Sequence, residues 1–507
     1  MNKFFAYLAC ALTVSLSFAP APAQTPGAEA IEAPSANAAP TESDSTPTSS
    51  PTPGTSSGTT AATPAPELPP PPKDIVLTNP AVKEGLKLRV RNRKIVIGAG
   101  QLEIDGKAIT IAQPTKVEVP PAGVLDLDDE IVRFQDAGKP ADTVVLPHCR
   151  ASNIDNTILR NILVPGTLKL KSQPGHDGPG LTPDIDYAVD LKFGALTRNA
   201  GGSIKPGEKV FADYQTWRRR LDTIAFDPTD NNFVLVQGIP ARSGPEPPVV
   251  APPLLPLANV YSDWGDGEIA QTDVMPISEK FEGNPYQIEH NLKAMQPIIK
   301  KLNTGDPIHL VFWGDSVTTG MDARSKQDGF VLSFCKQLKK QFPKANLVVS
   351  NLGIGGSTSS GRLPMLDIEV FGLKPDLIVV EFVNDLSLPA HEITKVYEEL
   401  LDDAKKNNTA VILCTPHMAA PKMARTTDWN SVKDKPYLAV LRELGRNNDF
   451  VAVADVFARW DHLQKEGIRP EILLVNGLNH PNNYGHNIYV EELMKCFVAT
   501  PDKVAQH

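Results

Sequence analysis

The chain is poor in cysteine, in aromatic side chains and in long apolar runs. Its 507 residues include 5 cysteines, and only 6% of them are Phe, Trp or Tyr. The cysteines are scattered singly, with no CxxC pair and no disulfide-framework spacing. We therefore predict free, buried thiols, with one disulfide as the alternative in an oxidising compartment. The four cysteines that follow the first apolar stretch are Cys149, Cys335, Cys414 and Cys496.

The chain also lacks a basic excess and the common spacings of metal and phosphate sites. It has 50 Lys and Arg against 59 Asp and Glu, a formal charge of −9. Binding to nucleic acid needs a basic face, so nucleic acid is excluded as an expected partner. The histidines show no HExxH spacing, and neither GxxxxGK[ST] nor GxGxxG occurs. We expect no metal and no cofactor.

The first 72 residues have the composition of an export signal followed by a linker. A short basic start precedes the apolar stretch Phe4–Phe18, and a small-residue cleavage site lies before Gln24. This predicts a signal peptide over residues 1–23, with a transmembrane anchor as the alternative. Residues 24–72 are rich in Pro, Ser and Thr and are predicted to be a disordered linker. The mature protein is then secreted, periplasmic or at the cell surface, with no membrane span.

Residues 73–275 are predicted to form a β-rich accessory region. Short β-branched or alternating stretches such as Lys94–Ile97 recur between Gly, Pro and Asp-Gly turn signals. This spacing is typical of one or two small β-sandwich-like modules. No motif in the region indicates a functional site.

Residues 285–500 change to short apolar strands that alternate with amphipathic helices. This alternation predicts a parallel sheet covered on both faces, with chemistry at the carboxyl ends of its strands. Apolar spacing from Asn284 to Leu302 predicts one helix ahead of the sheet. The predicted strands are Ile308–Phe312, Leu347–Ser350, Leu377–Phe382, Ala410–Cys414 and Val451–Ala454. The helices predicted after them are Gly329–Gln341, Ile393–Lys406, Tyr437–Arg446 and Tyr484–Phe497.

Polar or glycine-rich segments follow the first three predicted strands. Ser316 comes directly after the first strand in Gly314-Asp315-Ser316, on a turn that can lead into a helix. A Gly-rich stretch that includes Gly356 follows the second strand, and Asn384 follows the third. Backbone and side-chain N–H groups at such positions can stabilise a developing oxyanion. A helix cap, a plain turn or a loop bridge would use the same residue types.

His480 lies just before Pro481 and the last helix, where it is well placed as a general base. Taken in order, the four segments resemble the SGNH (GDSL) hydrolase superfamily over about residues 305–498. The resemblance implies a flavodoxin-like three-layer α/β/α sandwich, with Ser316 as nucleophile and His480 as base. It also implies an oxyanion hole made by the backbone N–H groups of Ser316 and Gly356 and the amide of Asn384.

The sequence departs from the family pattern at two positions. Phe382 replaces a glycine two residues before Asn384, and Gly477 stands where the family usually has the acid three residues before the base. Three options stay open for the group that orients His480: Asn476 or a backbone carbonyl, another acid, or a different base. We prefer Asn476 or a carbonyl. The residues considered for the other two options are the acids Asp455 and Asp461 and the base His486.

These features predict a secreted serine esterase that hydrolyses O-acyl esters through a Ser316 acyl-enzyme. Export, a spacer and a β-rich region in front of the enzyme fit a polymeric substrate, and the chain shows no long apolar lid. An O-acetyl group on a carbohydrate is therefore the expected substrate. Two alternatives remain: an acyltransferase of the same fold, and a non-catalytic glycan-binding protein with a degenerate triad.

Overall fold

The computed structural model describes residues 13–15, 74–135, 143–151, 157–277, 281 and 283–499. The predicted linker and all but three residues of the predicted signal peptide lie outside these residues. The exception is a short strand, β1 (Thr13–Ser15), which pairs antiparallel with an edge of the sheet described next.

Five parallel strands form the sheet of the C-terminal part. They pair in the order β19-β18-β20-β21-β22, the flavodoxin-like order in which the first strand along the chain lies second in the sheet. Their apolar, largely buried sequences explain why each predicted strand is found, extended by one to three residues at most ends. The strands are β18 (Pro307–Gly314), β19 (Asn346–Gly353), β20 (Leu377–Glu381), β21 (Ala410–Thr415) and β22 (Val451–Asp455).

Helices pack around this sheet, which confirms the predicted three-layer α/β/α sandwich. The long helices bury apolar residues against the sheet and leave their charged side chains at the surface, as on α6, which buries Ile393, Tyr397 and Leu400. The helices are α1 (Pro285–Ala294), α2 (Gln296–Thr304), α3 (Phe330–Gln341), α4 (Ser359–Arg362), α5 (Leu366–Glu369), α6 (Ala390–Lys406), α7 (Pro421–Ala424), α8 (Pro436–Asn447), α9 (Val456–Lys465) and α10 (Asn483–Met494).

The single helix predicted from Asn284 to Leu302 is two helices in the structure. Helix α1 ends at Ala294 and α2 begins at Gln296, with Met295 between them at φ −90° and ψ 2°. Pro297 lacks a backbone N–H and its ring clashes with the carbonyl four residues earlier, so one continuous helix is disfavoured there. The spacing of the apolar residues did not predict this break.

The β-rich region is built from small antiparallel sheets, as predicted. Two separate apolar clusters support them, one around Leu88, Ile97 and Phe226 and the other around Val132, Leu196 and Val210. The strands are β2 (Val82–Gly85), β3 (Leu88–Arg91), β4 (Lys94–Ile97), β5 (Gly100–Ile104), β6 (Lys107–Ile111), β7 (Thr115–Glu118), β8 (Val124–Arg133), β9 (Thr143–Val145), β10 (Lys169–Lys171), β11 (Tyr187–Asp190), β12 (Ala195–Arg198), β13 (Lys209–Trp217), β14 (Arg220–Asp227), β15 (Asn232–Val236), β16 (Leu255–Ser262) and β17 (Val274–Pro276).

Cys149, Cys335, Cys414 and Cys496 are all free and buried, as the sequence predicted. Burial raises the pKa of each thiol, so none of the four is activated as a nucleophile. Within the part of the chain that the structure describes, no helix is both long and apolar enough to cross a bilayer.

Candidate active site

The register of the parallel sheet brings three of the predicted segments to one edge. Gly314, at the end of β18, pairs with Gly353 of β19 on one side and with Glu381 of β20 on the other. Ser316, Gly356 and Asn384 each follow one of these strand ends by two or three residues. The carboxyl ends of parallel strands lie at the same edge, so the segments meet there. Ser316 is followed by a series of turns up to Asp322 rather than by a helix.

Ser316 contacts a histidine from the far end of the domain. Its Oγ lies 2.9 Å from Nε2 of His480, although 164 residues separate the two in the chain. Both residues are buried, Ser316 at 4% exposure and His480 at 9%. His480 is held in place because its carbonyl accepts a hydrogen bond from the Val475 N–H at 2.8 Å.

The other ring nitrogen of His480 faces an acid that the sequence analysis did not select. Its Nδ1 lies 2.6 Å from Oδ2 of Asp322, whose side chain is fully buried. Asp322 adopts a left-handed backbone conformation, with φ at 61°, in the turns that follow Ser316. A proton on Nδ1 that is donated to this carboxylate leaves Nε2 free to accept the Ser316 proton.

Asn476 does not occupy the position predicted for it. Its Oδ1 accepts hydrogen bonds from the backbone N–H groups of Leu478, Asn479 and His480, at 2.9 to 3.0 Å. Asn476 therefore closes the turn that leads into His480, and the carboxylate of Asp322 takes the place beside the imidazole ring. The preference for Asn476 or a carbonyl at this position was wrong.

The other residues considered for this role also lie elsewhere. Asp455 caps α9 by accepting from the Ala458 N–H and pairs with Arg442 at 2.8 Å. Asp461 pairs with Lys465 at 2.6 Å. His486 is buried in α10, where its Nδ1 accepts from the Phe330 N–H, and burial lowers its pKa to about 4.

Asn384 lies beside the glycine-rich loop at the same edge. Its side-chain amide donates to the Ser357 carbonyl at 3.0 Å, and its Oδ1 accepts from Asn479 at 3.2 Å. The loop also approaches the serine, because a Cβ built on Gly355 would lie 3.9 Å from the Cβ of Ser316. The glycine-rich loop therefore lies beside Ser316, and Asn384 is bound to that loop through Ser357.

Asp315 ties the serine turn to the Asn384 segment. Its Oδ1 accepts from the Val317 N–H and its Oδ2 accepts from the Asn384 N–H, both at 3.0 Å. It is fully buried, and burial raises its pKa to about 6 against the lowering effect of these hydrogen bonds. Asp315 thus has a structural role, since it fixes the Ser316 turn against the Asn384 segment.

Two further acids are buried behind the site. The Glu381 carboxyl accepts from Thr318 and Tyr489, and burial together with the nearby charge of Asp315 raises its pKa well above the usual range. Asp385 accepts from the Ser359 N–H and from Tyr397, and burial raises its pKa to about 7. Burial therefore favours the protonated form of both carboxyls, and the hydrogen bonds satisfy their oxygens in the interior.

The arrangement can carry out nucleophilic acyl transfer. A serine hydroxyl, an imidazole within hydrogen-bond distance and a buried carboxylate beyond it form the Ser-His-Asp constellation. A general base of this kind activates the hydroxyl, and nearby N–H groups stabilise the oxyanion that forms on attack. Among the described residues, no group of three or more His, Cys, Asp or Glu side chains is arranged to hold a metal ion.

No curated protein matches the chain. Solved structures show distant similarities to parts of it. A two-domain esterase (CEX) active on acetylated mannans has 21% identity and a TM-score of 0.35, over 43% of this chain and 56% of that one. The chain thus spans little more than half the length of that esterase. LAE5, an alpha/beta hydrolase from the metagenome of Lake Arreo, Spain, has 22% identity and a TM-score of 0.32, over 38% of this chain and 94% of that one. A catalytic mutant of Axe2, an acetylxylan esterase from Geobacillus stearothermophilus, has 20% identity, the same TM-score and the same shares.

Residues 312–488 match the model of the GDSL-like lipase/acylhydrolase family. The match includes Ser316, Asp322, Gly356, Asn384 and His480. It confirms the resemblance predicted from the four sequence segments. The C-terminal part of the chain is a GDSL-like (SGNH-type) ester hydrolase domain.

Proposed function

We propose that this domain hydrolyses short O-acyl esters, chiefly O-acetyl esters on a carbohydrate, through an acyl-enzyme on Ser316. The observation that carries the proposal is the chain of two contacts from Ser316 Oγ to His480 and from His480 to Asp322, at 2.9 and 2.6 Å. Asp322 also supplies the carboxylate whose apparent absence motivated the alternative of a degenerate, non-catalytic domain.

In the first half of the reaction, Nε2 of His480 takes the proton of Ser316 as Oγ attacks the acyl carbonyl carbon. The negative charge that develops on the carbonyl oxygen is stabilised by the N–H groups of Ser316 and Gly356 and by the amide of Asn384. Removal of one such donor typically costs about 3–4 kcal/mol of transition-state stabilisation. The C–O bond to the sugar then breaks, and the leaving hydroxyl takes the proton from His480.

In the second half, water replaces the sugar. His480 removes a proton from the water as it attacks the acyl-serine, the acid is released, and Ser316 recovers its proton. Asp322 stabilises the imidazolium in both halves because its carboxylate is fully buried beside Nδ1. The reaction needs only groups that this chain supplies.

Three features support a short acyl group and a polymeric carbohydrate. The chain has no long apolar segment that would form a lipase lid. The β-rich region packs directly on the hydrolase domain, since Leu221, Tyr261 and Met275 belong to the same apolar core. The predicted signal peptide and spacer would place the enzyme outside the cytoplasm, where polysaccharides are found.

The test is acetate release from acetylated xylan, acetylated pectin and a chromogenic acetate ester. Ser316→Ala should abolish release and also block labelling by a fluorophosphonate probe. Ser333→Ala, on the partly exposed face of α3, is the matched serine control and should keep full activity. A Ser316→Ala protein that still turns over the ester would contradict the proposal. Transfer of acetate to an added sugar instead of water would indicate the acyltransferase.

A further inference from the structure

The β-rich region is fixed on the hydrolase domain at a face that reaches the active site. Arg469 pairs with Asp273 at 3.0 Å and lies over the ring of Tyr261, 5.2 Å from its centroid. A second set of contacts involves residues 242–246, which leave the β-rich region after β15. We call these residues the bridging segment.

The bridging segment begins at Arg242, whose charge interacts with that of the triad acid. The Arg242 carbonyl accepts from the Trp264 ring N–H at 3.2 Å, which anchors this end to the β-rich region. Burial lowers the pKa of the Arg242 guanidinium, and the negative charges of Glu130 and Asp322 oppose that effect. The cation is therefore near enough to the Asp322 carboxylate for their charges to interact.

The next three residues hold the loop that carries His480. Ser243 Oγ donates to the Val475 carbonyl at 2.6 Å, and the Val475 N–H donates to the His480 carbonyl. Asn482, two residues after His480, donates its buried amide to the carbonyls of Gly244 and Pro245 at 3.0 and 3.2 Å. The loop is thus held on both sides of the base.

Gly244 allows this close approach. Its φ is 57°, and a Cβ built there would lie 3.0 Å from Cγ2 of Val475 and 3.3 Å from the Cβ of Asn482. A side chain would therefore strain the backbone and push the segment away from the His480 loop.

The last residue of the segment reaches the loop that carries Asp322. Glu246 pairs at 3.0 Å with Arg324, two residues beyond Asp322. The Arg324 N–H in turn donates to the Asn483 side chain at 2.8 Å. Glu246 therefore holds the residue that ties the Asp322 loop to the start of α10.

We propose that the bridging segment is a positioning element of the esterase site, which holds the Asp322 loop and the His480 loop in register. Asp322 lies in the loop that follows Ser316, whereas His480 lies near the C-terminal end of the domain. Their 2.6 Å contact depends on two irregular loops that share no strand or helix. Ser243 and Glu246 act through the triad and do not touch the substrate. This inference rests on the proposed esterase function.

The experiment is a double-mutant cycle on the full chain. Ser243→Ala, Glu246→Ala and their combination are made in the wild-type and in the Asp322→Asn background. In the wild-type background the combined change should lower kcat about 10- to 100-fold with KM within about twofold, because a misplacement of about 1 Å costs on that order. Labelling of Ser316 by a fluorophosphonate should slow in parallel. In the Asp322→Asn background the same change should lower kcat less than about twofold.

Asp273→Ala is the matched control, since it breaks an ion pair between the same two parts of the chain at a distance from the triad, and it should leave kcat unchanged. Glu246→Gln keeps a side-chain acceptor for Arg324 and should recover part of the activity lost in Glu246→Ala. If the combined variant does not fold, the cycle with Ser243→Ala alone tests the inference. That substitution removes only one hydroxyl group and is the smaller change to the fold.

An equal loss in both backgrounds, or no loss in the wild-type background, would overturn the inference while the esterase assignment stands. If the wild-type protein neither hydrolyses esters nor labels with the probe, the proposed function and the inference both fail.

Discussion

Asp322 Oδ2 lies 2.6 Å from His480 Nδ1, so the acid that faces the base comes from the turns just after the nucleophile. Ser316 and Asp322 are six residues apart in one loop, whereas His480 arrives from a turn that 158 residues separate from the acid. The position three residues before His480, where the family usually carries the acid, is Gly477. In this chain the carboxylate beside Nδ1 of His480 therefore comes from Asp322, in the loop that follows Ser316.

The first prediction concerns this acid. Asp322→Asn should lower kcat by roughly 10³- to 10⁴-fold, with a small change in KM, because a neutral amide can neither fix the productive tautomer nor stabilise the imidazolium. The measurement is steady-state hydrolysis of a chromogenic acetate ester. Asp461→Asn, which removes an acid from a surface ion pair with Lys465, should keep wild-type kcat. Similar kinetics for both variants would show that Asp322 is not the third member of the triad.

Most of the fold was predictable because its signals are local and periodic. Short apolar runs such as Leu377–Glu381 are buried on both faces of a parallel sheet, and their ends fix where Ser316, Gly356 and Asn384 must lie. The family match confirms the domain that these segments indicated. The register of a parallel sheet then brings the segments together without any knowledge of side-chain contacts.

Asp322 was missed because nothing periodic marks its position. It lies in irregular turns between β18 and α3, where its backbone is left-handed. The available signal was an acid in a long loop at the carboxyl edge of the sheet, next to the nucleophile. The bridging segment was missed for a similar reason: contacts such as Ser243 to Val475 join residues 232 apart. No pattern within either stretch encodes such a contact.

The second prediction concerns the oxyanion hole. Asn384→Ala should lower kcat by about 10²- to 10³-fold, the cost of losing one preorganised donor. It also removes the hydrogen bonds with Ser357 and Asn479, so a loss of about 1 kcal/mol in the free energy of unfolding should accompany it. Steady-state kinetics and chemical denaturation measure the two effects. Asn407→Ala, after α6, removes an exposed amide and should leave kcat unchanged. A variant at position 384 that keeps its kcat would exclude the asparagine from the hole.

The third prediction compares two glycines of the site. A Cβ on Gly314 would lie 2.0 Å from Thr318 Oγ1 and 2.2 Å from the Glu381 carbonyl oxygen, so Gly314→Ala forces the end of β18 to shift. We expect a loss of at least about 3 kcal/mol in the free energy of unfolding, at the upper end of overpacking effects. Gly356 has φ 74° and open space around it, so Gly356→Ala should cost only about 1–2 kcal/mol. Denaturant titration of both variants checks this order, and the reverse order would contradict the packing seen at Gly314.

The fourth prediction concerns the pH dependence of stability through Asp385. Burial raises the pKa of this carboxyl from 3.8 to about 7, so between these values the folded protein binds a proton that the unfolded chain has released. The contribution of Asp385 to the free energy of unfolding therefore falls as pH rises, by up to ~1.4 kcal/mol per pH unit.

Asp385→Asn removes that titration. The free energy of unfolding of the variant minus that of wild type should therefore rise steadily between pH 5 and pH 7. This trend does not depend on which of the two proteins is the more stable. Other buried groups titrate in both proteins, so their contributions cancel when the two free energies of unfolding are subtracted. One such group is His417, whose pKa is lowered by burial to about 3. Urea denaturation at pH 5, 6 and 7 gives the trend, with Asp461→Asn as the control for the loss of a surface acid. A constant difference between Asp385→Asn and wild type over this range would mean that Asp385 stays ionised in the folded protein, with Tyr397 and the Ser359 N–H stabilising its charge.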